Sequence, residues 1–284
     1  MNFSRRMWVV ALLFVFGATV FLSVSVWRDV SSLRVIFLDV GQGDAILLSS
    51  GSNQFLIDTG KNGRALLSGL GEYVPFWDRT IEMVLLTHPD QDHIGALPDL
   101  LDRYRVSLLL SADIPEETAV GRAVRTSMES HRLRCIAPFR GLSVTIGPGV
   151  TLETIFPEIE MPFRPKYTNE SSVVALLSVG ADSFLFTGDL PREEIVLPER
   201  DIRVLKVSHH GSKYSTSDVF LDRMKPEEAV ISVGKNSYGH PAPEVLDRLG
   251  RRGIRTFRTD MSGAIVYECP LAEKTSCSLI RPRL

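Results

Sequence analysis

The sequence of 284 residues predicts an α/β protein, a four-layer αβ/βα sandwich preceded by one N-terminal transmembrane helix. Two observations predict the sandwich. Strand-like and helix-like segments alternate in both halves of the chain, and loops rich in His and Asp follow strands in each half. A third observation, an uncharged run at 7–27, predicts the membrane helix. We therefore divide the chain into a membrane anchor at 1–30 and one folded domain at 31–284.

The N-terminal run at 7–27 is long enough to cross a bilayer, because about 20 helical residues span roughly 30 Å. A cleaved secretory signal is the alternative. Its apolar core usually has only about 7–15 residues, although the tripeptide at 23–25 is an acceptable cleavage site. Arg5 and Arg6 oppose a single Arg28, which predicts a single-pass protein of the cell membrane with its folded domain outside the cytoplasm.

The cysteines agree with an exported domain. Cys269 and Cys277 flank a predicted turn at 270–276 between two C-terminal strands and are candidates for a disulfide. Cys135 is then left over, and we expect it to be a buried apolar residue.

Hydrophobic periodicity predicts the elements of the domain in order. In the first half we expect strands at 33–40, 45–49, 54–57, 83–86, 106–110 and 134–137, and helices at 64–74, 96–104 and 117–132. In the second half we expect strands at 150–156, 173–179, 183–186, 204–207 and 229–233, helices at 220–224 and 243–252, and a last strand pair at 254–259 and 263–268.

Composition and histidine placement bear on function. The net charge of −2 excludes a strongly basic protein that coats nucleic acid. Five of the six histidines lie in short loops with Gly, Ser or Asp, and these are His88, His93, His209, His210 and His240. The sixth, His131, falls on a predicted helix, where a surface position is expected.

Four metal-competent side chains follow the strand at 83–86 within six residues, namely His88, Asp90, Asp92 and His93. Imidazoles and carboxylates are the ligands that hard or borderline divalent cations prefer. An isolated turn of this kind also occurs as a solvated acidic loop with incidental histidines. Three further candidates follow strands in the second half and favour the metal interpretation: Asp189, His209 and His210.

Together these residues resemble the metallo-β-lactamase superfamily, whose usual signature is His-x-His-x-Asp-His, then a bridging Asp and a final His. Over 33–284 the chain more narrowly resembles the C-terminal hydrolase domain of the ComEC competence proteins, which carry DNA across bacterial membranes. Five strings in the same order carry this resemblance: FLDVGQGDA at 37–45, DTG at 58–60, THPDQDHIG at 87–95, KVSHHGS at 206–212 and SYGHP at 237–241.

The resemblance implies two divalent metal ions, zinc or manganese, bridged by Asp189. It implies that Asp92, His93 and one of His209 and His210 hold one ion, while His88 and Asp90 hold the other. Asp90 stands where a second His is usual, and no His lies near 169–172, where another ligand is expected. The site of His88 is therefore poorer in nitrogen, which favours Mn²⁺ or a weakly held Zn²⁺.

Other residues receive roles around this centre. His240 is the candidate phosphate-oxygen donor or proton source, with capping of the following helix as the alternative. Lys206 and Asp92 are also assigned to catalysis, and Asp58 and Asp44 are expected behind the ligands, orienting them. The residues assigned to substrate binding are Ser212, Lys213, Asn169, Ser172, Arg164 and Lys166, although a lone basic residue is commonly a solvated surface charge.

The expected function is a membrane-anchored, extracytoplasmic, metal-dependent phosphodiesterase. The resemblance implies a DNA nuclease linked to DNA uptake, with DNA as its substrate and a multi-span DNA-uptake channel as a candidate partner. Two alternatives stay open: a hydrolase of a small phosphoester such as a phosphocholine ester, and a degenerate metal-binding partner of a DNA channel. Asp90 makes a lactonase or β-lactam role less attractive.

Overall fold

The computed structural model describes residues 8, 11–14, 16, 32–112, 114–158, 168–195, 201–272 and 275–281. Most of the predicted membrane helix at 7–27, and both Arg164 and Lys166, lie outside these residues. Within them, no helix combines the length and the apolar character that crossing a bilayer requires.

Fifteen strands form two sheets in the part of the chain that the structure describes. The first sheet contains β1 (Ser32–Phe37), β2 (Ile46–Ser50), β3 (Asn53–Ile57), β4 (Thr80–Leu86), β5 (Arg105–Ser111), β6 (Cys135–Ile136), β14 (Ile265–Pro270) and β15 (Ser278–Arg281). The second contains β7 (Ser143–Gly147), β8 (Val150–Phe156), β9 (Val174–Val179), β10 (Asp182–Phe186), β11 (Val204–Lys206), β12 (Glu228–Ile231) and β13 (Arg255–Arg258). Their orders are β15-β14-β1-β2-β3-β4-β5-β6 and β13-β12-β11-β10-β9-β8-β7.

Helices lie mainly between the parallel strands. The α-helices of the described ranges are α1 (Gly63–Tyr73), α2 (Gln91–Ile94), α3 (Leu97–Leu101), α4 (Ala119–Ser130), α5 (Asp218–Met224), α6 (Pro243–Arg251) and α7 (Thr259–Ser262). Three 3₁₀ turns cover Thr168–Ser171, Glu193–Ile195 and Ser208–Gly211. Helix α1 shows why the sequence folds this way: Asn62 Oδ1 accepts the Ala65 N–H at its N-terminus, and Leu66 and Leu70 bury its apolar face.

Each half passes from antiparallel to parallel strands. In the first sheet β3, β4, β5 and β6 run parallel, and in the second β10, β11, β12 and β13 do. Since parallel strands end at the same edge of a sheet, the loops after β3 and β4, and those after β10 and β11, are gathered at one edge of each sheet. The polar residues of the predicted site lie in these loops.

Three apolar clusters separate four layers. One fills the space between the sheets, where Phe37 contacts Phe186 and Tyr267 at ring-centroid distances of 6.1 and 6.3 Å. A second joins the first sheet to α1, α3 and α4, and a third joins the second sheet to α5 and α6. The order helix, sheet, sheet, helix agrees with the predicted αβ/βα sandwich.

Three predictions about the C-terminal part and the cysteines can be compared with this fold. The predicted last strand pair is wrong as a pair, because β13 pairs with β12 in the second sheet while β14 pairs with β1 in the first. The disulfide between Cys269 and Cys277 is present. Cys135 is exposed rather than buried, because β6 is the edge strand of its sheet.

Candidate metal centre

The loop after β4 carries the first set of candidate ligands. His88 and His93 are buried, whereas Asp90 and Asp92 are partly exposed. Asp90 stands immediately before α2, and its backbone carbonyl accepts the N–H groups of His93 and Ile94. This short turn of helix brings Asp92 and His93 back toward His88, so the His88 and His93 rings lie 4.0 Å apart.

Asp58, at the end of β3, supports this loop from behind. It accepts hydrogen bonds from Thr87 N at 2.8 Å and Thr87 Oγ1 at 2.7 Å, and its Oδ2 lies 2.8 Å from His93 Nδ1. Its φ of 58° is unusual for a residue other than glycine and aims the carboxylate into the loop. Because the Asp58 carboxylate accepts a hydrogen bond from Nδ1–H of His93, Nε2 of that ring faces the centre.

Asp189 enters the centre from the second sheet, in the turn after β10. Its N–H donates to Ser172 Oγ at 3.1 Å. Gly188 precedes it with a φ of 52°, and a Cβ there would lie 3.1 Å from side-chain atoms of both Ser172 and Thr87. Glycine is required at this position, since the turn must pack closely against the loop of the first half.

His209 and His210 follow β11 in adjacent left-handed conformations, with φ of 49° and 54°. Such strain in non-glycine residues persists where surrounding structure fixes it, often at functional sites. The two ring planes are inclined by 78°, so the turn presents both imidazoles in different orientations. His210 Nδ1 lies 2.8 Å from the carbonyl of Ser232, an acceptor that leaves Nε2 of His210 as the atom facing the centre.

Three of these side chains close around Asp189 into what we call the Asp92 group, namely Asp92, His93 and His210. His210 Nε2 lies 3.2 Å from Asp92 Oδ2 and 3.4 Å from Asp189 Oδ2, and His93 Nε2 lies 3.4 Å from Asp189 Oδ1. Ligands of one cation, each bonded at about 2.1 Å, are separated by roughly 3.0–3.5 Å. The Asp92 group therefore has the spacing of a metal site.

A looser set, the His88 group, contains His88, Asp90 and His209. His88 Nε2 lies 3.7 Å from Asp90 Oδ2 and 3.9 Å from Asp189 Oδ2, while His209 Nε2 lies 3.8 Å from Asp189 Oδ2. The sequence left open which of the paired histidines binds metal. In the structure His210 joins the Asp92 group. His209 brings a more distant imidazole to the His88 group, and no histidine near 169–172 could supply one there.

The residues present fit a pair of divalent cations. Among the residues that the structure describes, four buried polar atoms that face this centre have no hydrogen-bond partner: Nε2 of His88, Nε2 of His93, Nε2 of His210 and Oδ1 of Asp189. An unpaired buried polar atom costs about 1–3 kcal/mol. Nitrogen and carboxylate oxygen are metal ligands, so cations bridged by Asp189 would remove this cost.

The electrostatics of the centre also favour cations. Burial by itself would lower the pKa of His93 and His210, but Asp189 and the neighbouring carboxylates outweigh it, raising the His93 pKa well above its usual range and that of His210 to about 9. Burial, followed by the nearby His93, holds the pKa of His88 well below its usual range. Carboxylates that raise the pKa of buried imidazoles attract any positive charge, including a metal ion.

Lys206 is a buried cation next to the candidate metal centre. Its side chain is 1% exposed, forms an ion pair with Asp44, and donates to the Gly188 carbonyl at 2.8 Å. Nζ also lies 3.5 Å from Asp189 Oδ1. The assignment of Lys206 to catalysis stays a prediction, and the structure buries its ammonium beside the Asp189 carboxylate.

The described residues assigned to substrate binding differ in exposure: two are buried and two are at least partly exposed. Ser172 and Ser212 are buried, and Ser172 accepts the Asp189 N–H, while their assignment to substrate contact stays a prediction. Asn169 Nδ2 lies 3.3 Å from His209 Nδ1 and steadies that ring. Lys213 is exposed.

His240 lies beside the His88 group. Its ring centroid is 5.2 Å from that of His209, and its Nδ1 is buried without a hydrogen-bond partner. The alternative role as a helix cap does not hold, because α6 begins after Ala242 and has no side-chain cap. His240 is therefore placed to reach a group held next to His209.

Sequence reasoning missed two supporting residues. Thr87 and Ser232 hold Asp58 and His210 in place. Thr87 stands directly before His88, and this position next to a candidate ligand could have indicated a supporting role. Ser232 contributes only a backbone carbonyl, which no residue pattern reveals.

Comparison with known proteins identifies the family of the chain. The family model described as "Metallo-beta-lactamase superfamily" matches residues 38–235. ComE operon protein 3 of Bacillus subtilis (strain 168) is 34% identical over 82% of this chain and 33% of its own length. Competence protein ComA of Neisseria gonorrhoeae is 28% identical over 81% of this chain and 31% of its own length.

The chain thus spans about a third of the length of these curated relatives. Among solved structures, the metallo-beta-lactamase fold protein YhfI from Bacillus subtilis is similar with a TM-score of 0.52. It shares 16% sequence identity, over 83% of this chain and 99% of that one, which is a likeness of fold.

Proposed function

This chain belongs to the metallo-beta-lactamase superfamily, and we propose that it is a metal-dependent phosphodiesterase that hydrolyses DNA. The observation that carries the proposal is the cluster of three buried imidazole Nε2 atoms without hydrogen-bond partners around the Asp189 carboxylate. Divalent cations bound there would supply Lewis-acid polarisation of a phosphoryl oxygen and a water of lowered pKa.

The chain's own residues have distinct tasks in this reaction. Asp58 and the Ser232 carbonyl hold His93 and His210 in the orientation that directs Nε2 inward. His240 is positioned to donate a proton or a hydrogen bond to a phosphate oxygen beside His209. Asp90, in place of a second histidine, makes the His88 group richer in oxygen and favours Mn²⁺ or weakly held Zn²⁺.

DNA as substrate is supported by the relatives, one of which is named a competence protein. We extend the proposal to DNA uptake beside a multi-span channel protein. An extracytoplasmic location is supported by the uncharged run at 7–27 and by the disulfide between Cys269 and Cys277, which suits an oxidising compartment.

The test uses the full chain purified in detergent and reconstituted with Mn²⁺ or Zn²⁺. We expect cleavage of single- or double-stranded DNA and of bis-p-nitrophenyl phosphate, with loss of both activities in Asp189→Asn. Asp247→Asn, a substitution in an exposed surface ion pair, is the matched control.

Three other outcomes contradict the proposal in different ways. Turnover of phosphocholine esters without DNA cleavage identifies a hydrolase of small phosphoesters. Stoichiometric metal binding without turnover of any phosphoester identifies a degenerate metal-binding module. Metal content that is unchanged by Asp92→Ala refutes the site assignment itself.

A further inference from the structure

A row of rings connects the candidate metal centre to solvent. The His209 ring lies 5.2 Å from His240, and His240 is stacked on Tyr238 at a centroid distance of 5.7 Å and an interplanar angle of 30°. Tyr238 is nevertheless 74% exposed. We propose that Tyr238 is a nucleobase-stacking residue that gives the site a preference for single-stranded DNA, an inference that rests on the proposed function.

The loop that carries Tyr238 is held in shape by one side chain. Asn236 Oδ1 accepts the N–H groups of Tyr238 at 3.0 Å and His240 at 3.1 Å, while Asn236 Nδ2 donates to the carbonyls of His240 at 2.8 Å and Gly234 at 2.9 Å. An aromatic ring fixed before binding loses less entropy when a ligand stacks on it. Tyr238 is thus a preorganised platform rather than a loose surface residue.

A second aromatic residue lies on the adjoining loop. Tyr214 is 74% exposed, and the Lys213 ammonium lies 5.0 Å from its ring centroid. The two loops are joined by a hydrogen bond from Ala242 N to the Gly211 carbonyl at 2.8 Å. Exposed aromatic rings beside a few cations are typical of single-strand binding, in which successive bases stack on side chains while cations follow the phosphates.

The near-neutral net charge of the chain also favours base stacking as a source of affinity. With 32 basic and 34 acidic residues it cannot hold DNA by general positive charge, so non-electrostatic contacts must supply affinity. Stacking on Tyr238 requires a base whose face is open, and a base in a duplex offers none unless it is flipped out. The ring also gives no advantage to a small phosphoester that lacks an aromatic group.

The test is binding of a fluorescein-labelled single-stranded oligonucleotide to the full chain in detergent, followed by fluorescence anisotropy with EDTA present. We expect Tyr238→Ala to raise Kd about 5- to 150-fold, the range for losing one base–aromatic stack. Tyr238→Phe keeps the ring and should bind as the native chain does. An oligonucleotide with abasic sites should bind the native chain more weakly and should respond less to Tyr238→Ala.

Trp77→Ala is the control, since Trp77 is 72% exposed but precedes β4, at the end of the strand opposite the metal loop. Equal binding by Tyr238→Ala and the native chain, equal weakening by Trp77→Ala, or tighter binding of duplex than of single strand overturns the inference. Any of these with DNA cleavage intact leaves the proposed function standing. Failure of the native chain both to bind and to cleave DNA refutes both.

Discussion

The Nδ1 atom of His93 lies 2.8 Å from Oδ2 of Asp58, 35 residues earlier in the chain. The contact joins the ends of β3 and β4, so the parallel pairing of these strands fixes the direction of a metal-competent imidazole. Asp58 therefore orients a candidate ligand, although it is a member of neither the Asp92 group nor the His88 group.

Asp58→Asn should weaken metal binding about 10- to 100-fold, the usual effect of losing a carboxylate behind a ligand histidine. The amide keeps the size of the side chain but removes the charge that orients and polarises His93. Competition with a metallochromic indicator measures the change, with Asp247→Asn as the exposed control. An unchanged affinity for both ions would contradict this role.

The paired histidines should act on different ions. His210→Ala removes a ligand from the Asp92 group, whose atoms lie 3.2–3.4 Å apart, and should abolish the tighter of two binding events. His209→Ala should affect only the weaker event, because His209 Nε2 lies 3.8 Å from Asp189 Oδ2. Metal stoichiometry by mass spectrometry and calorimetry separates the two, with the exposed His131→Ala as control. Identical losses from both variants would show that the two groups are not separate sites.

Glu193 should make the fold less stable as pH rises. Burial raises its pKa from 4.5 to about 7, although Thr216 donates two hydrogen bonds to Oε1. Because the folded state binds this proton more tightly than the unfolded state, the contribution of Glu193 to stability is greatest below pH 4.5 and falls until about pH 7. The loss is about 3 kcal/mol for a shift of this size.

Urea unfolding at pH 5 and pH 8 measures this slope. Glu193→Gln should flatten it and raise stability at pH 8, since a neutral amide keeps an acceptor for Thr216. Glu194→Gln, at the partly exposed neighbour, should leave the slope in place. An unchanged slope in Glu193→Gln would mean that another group is responsible.

The disulfide should stabilise the C-terminal hairpin. Cys269 and Cys277 are both buried, and Cys277 N–H donates to Asp182 of the second sheet. Replacing both by serine should lower the free energy of unfolding by about 2–3 kcal/mol, as expected for a closed loop of this length. Cys135→Ser, at the exposed thiol, is the control and should unfold as the native chain does.

The sequence predicts this centre well where the chemistry is local. His88 to His93 fall in one loop, and their spacing alone brings four candidate ligand side chains together. The buried position of Lys206 could not be predicted, because its partners Asp44 and Asp189 lie on other loops and only the packed sheets bring them together. The placement of β13 and β14 in different sheets could not be predicted for a related reason. The periodicity of a strand indicates which of its residues are buried, but it does not indicate which strand it pairs with.

The pairing of β1 with β14 has a consequence for the order of assembly during synthesis. Ser32 lies opposite Pro270, so the first sheet stays open on one side until residues 265–270 have left the ribosome. Contacts this distant in sequence form slowly, because a long loop must close before they are gained. His88 and His93 follow β4 and emerge early, but they must wait for Asp189 and His210, so the candidate ligands of the first half come together with their partners only after much of the second half has been made.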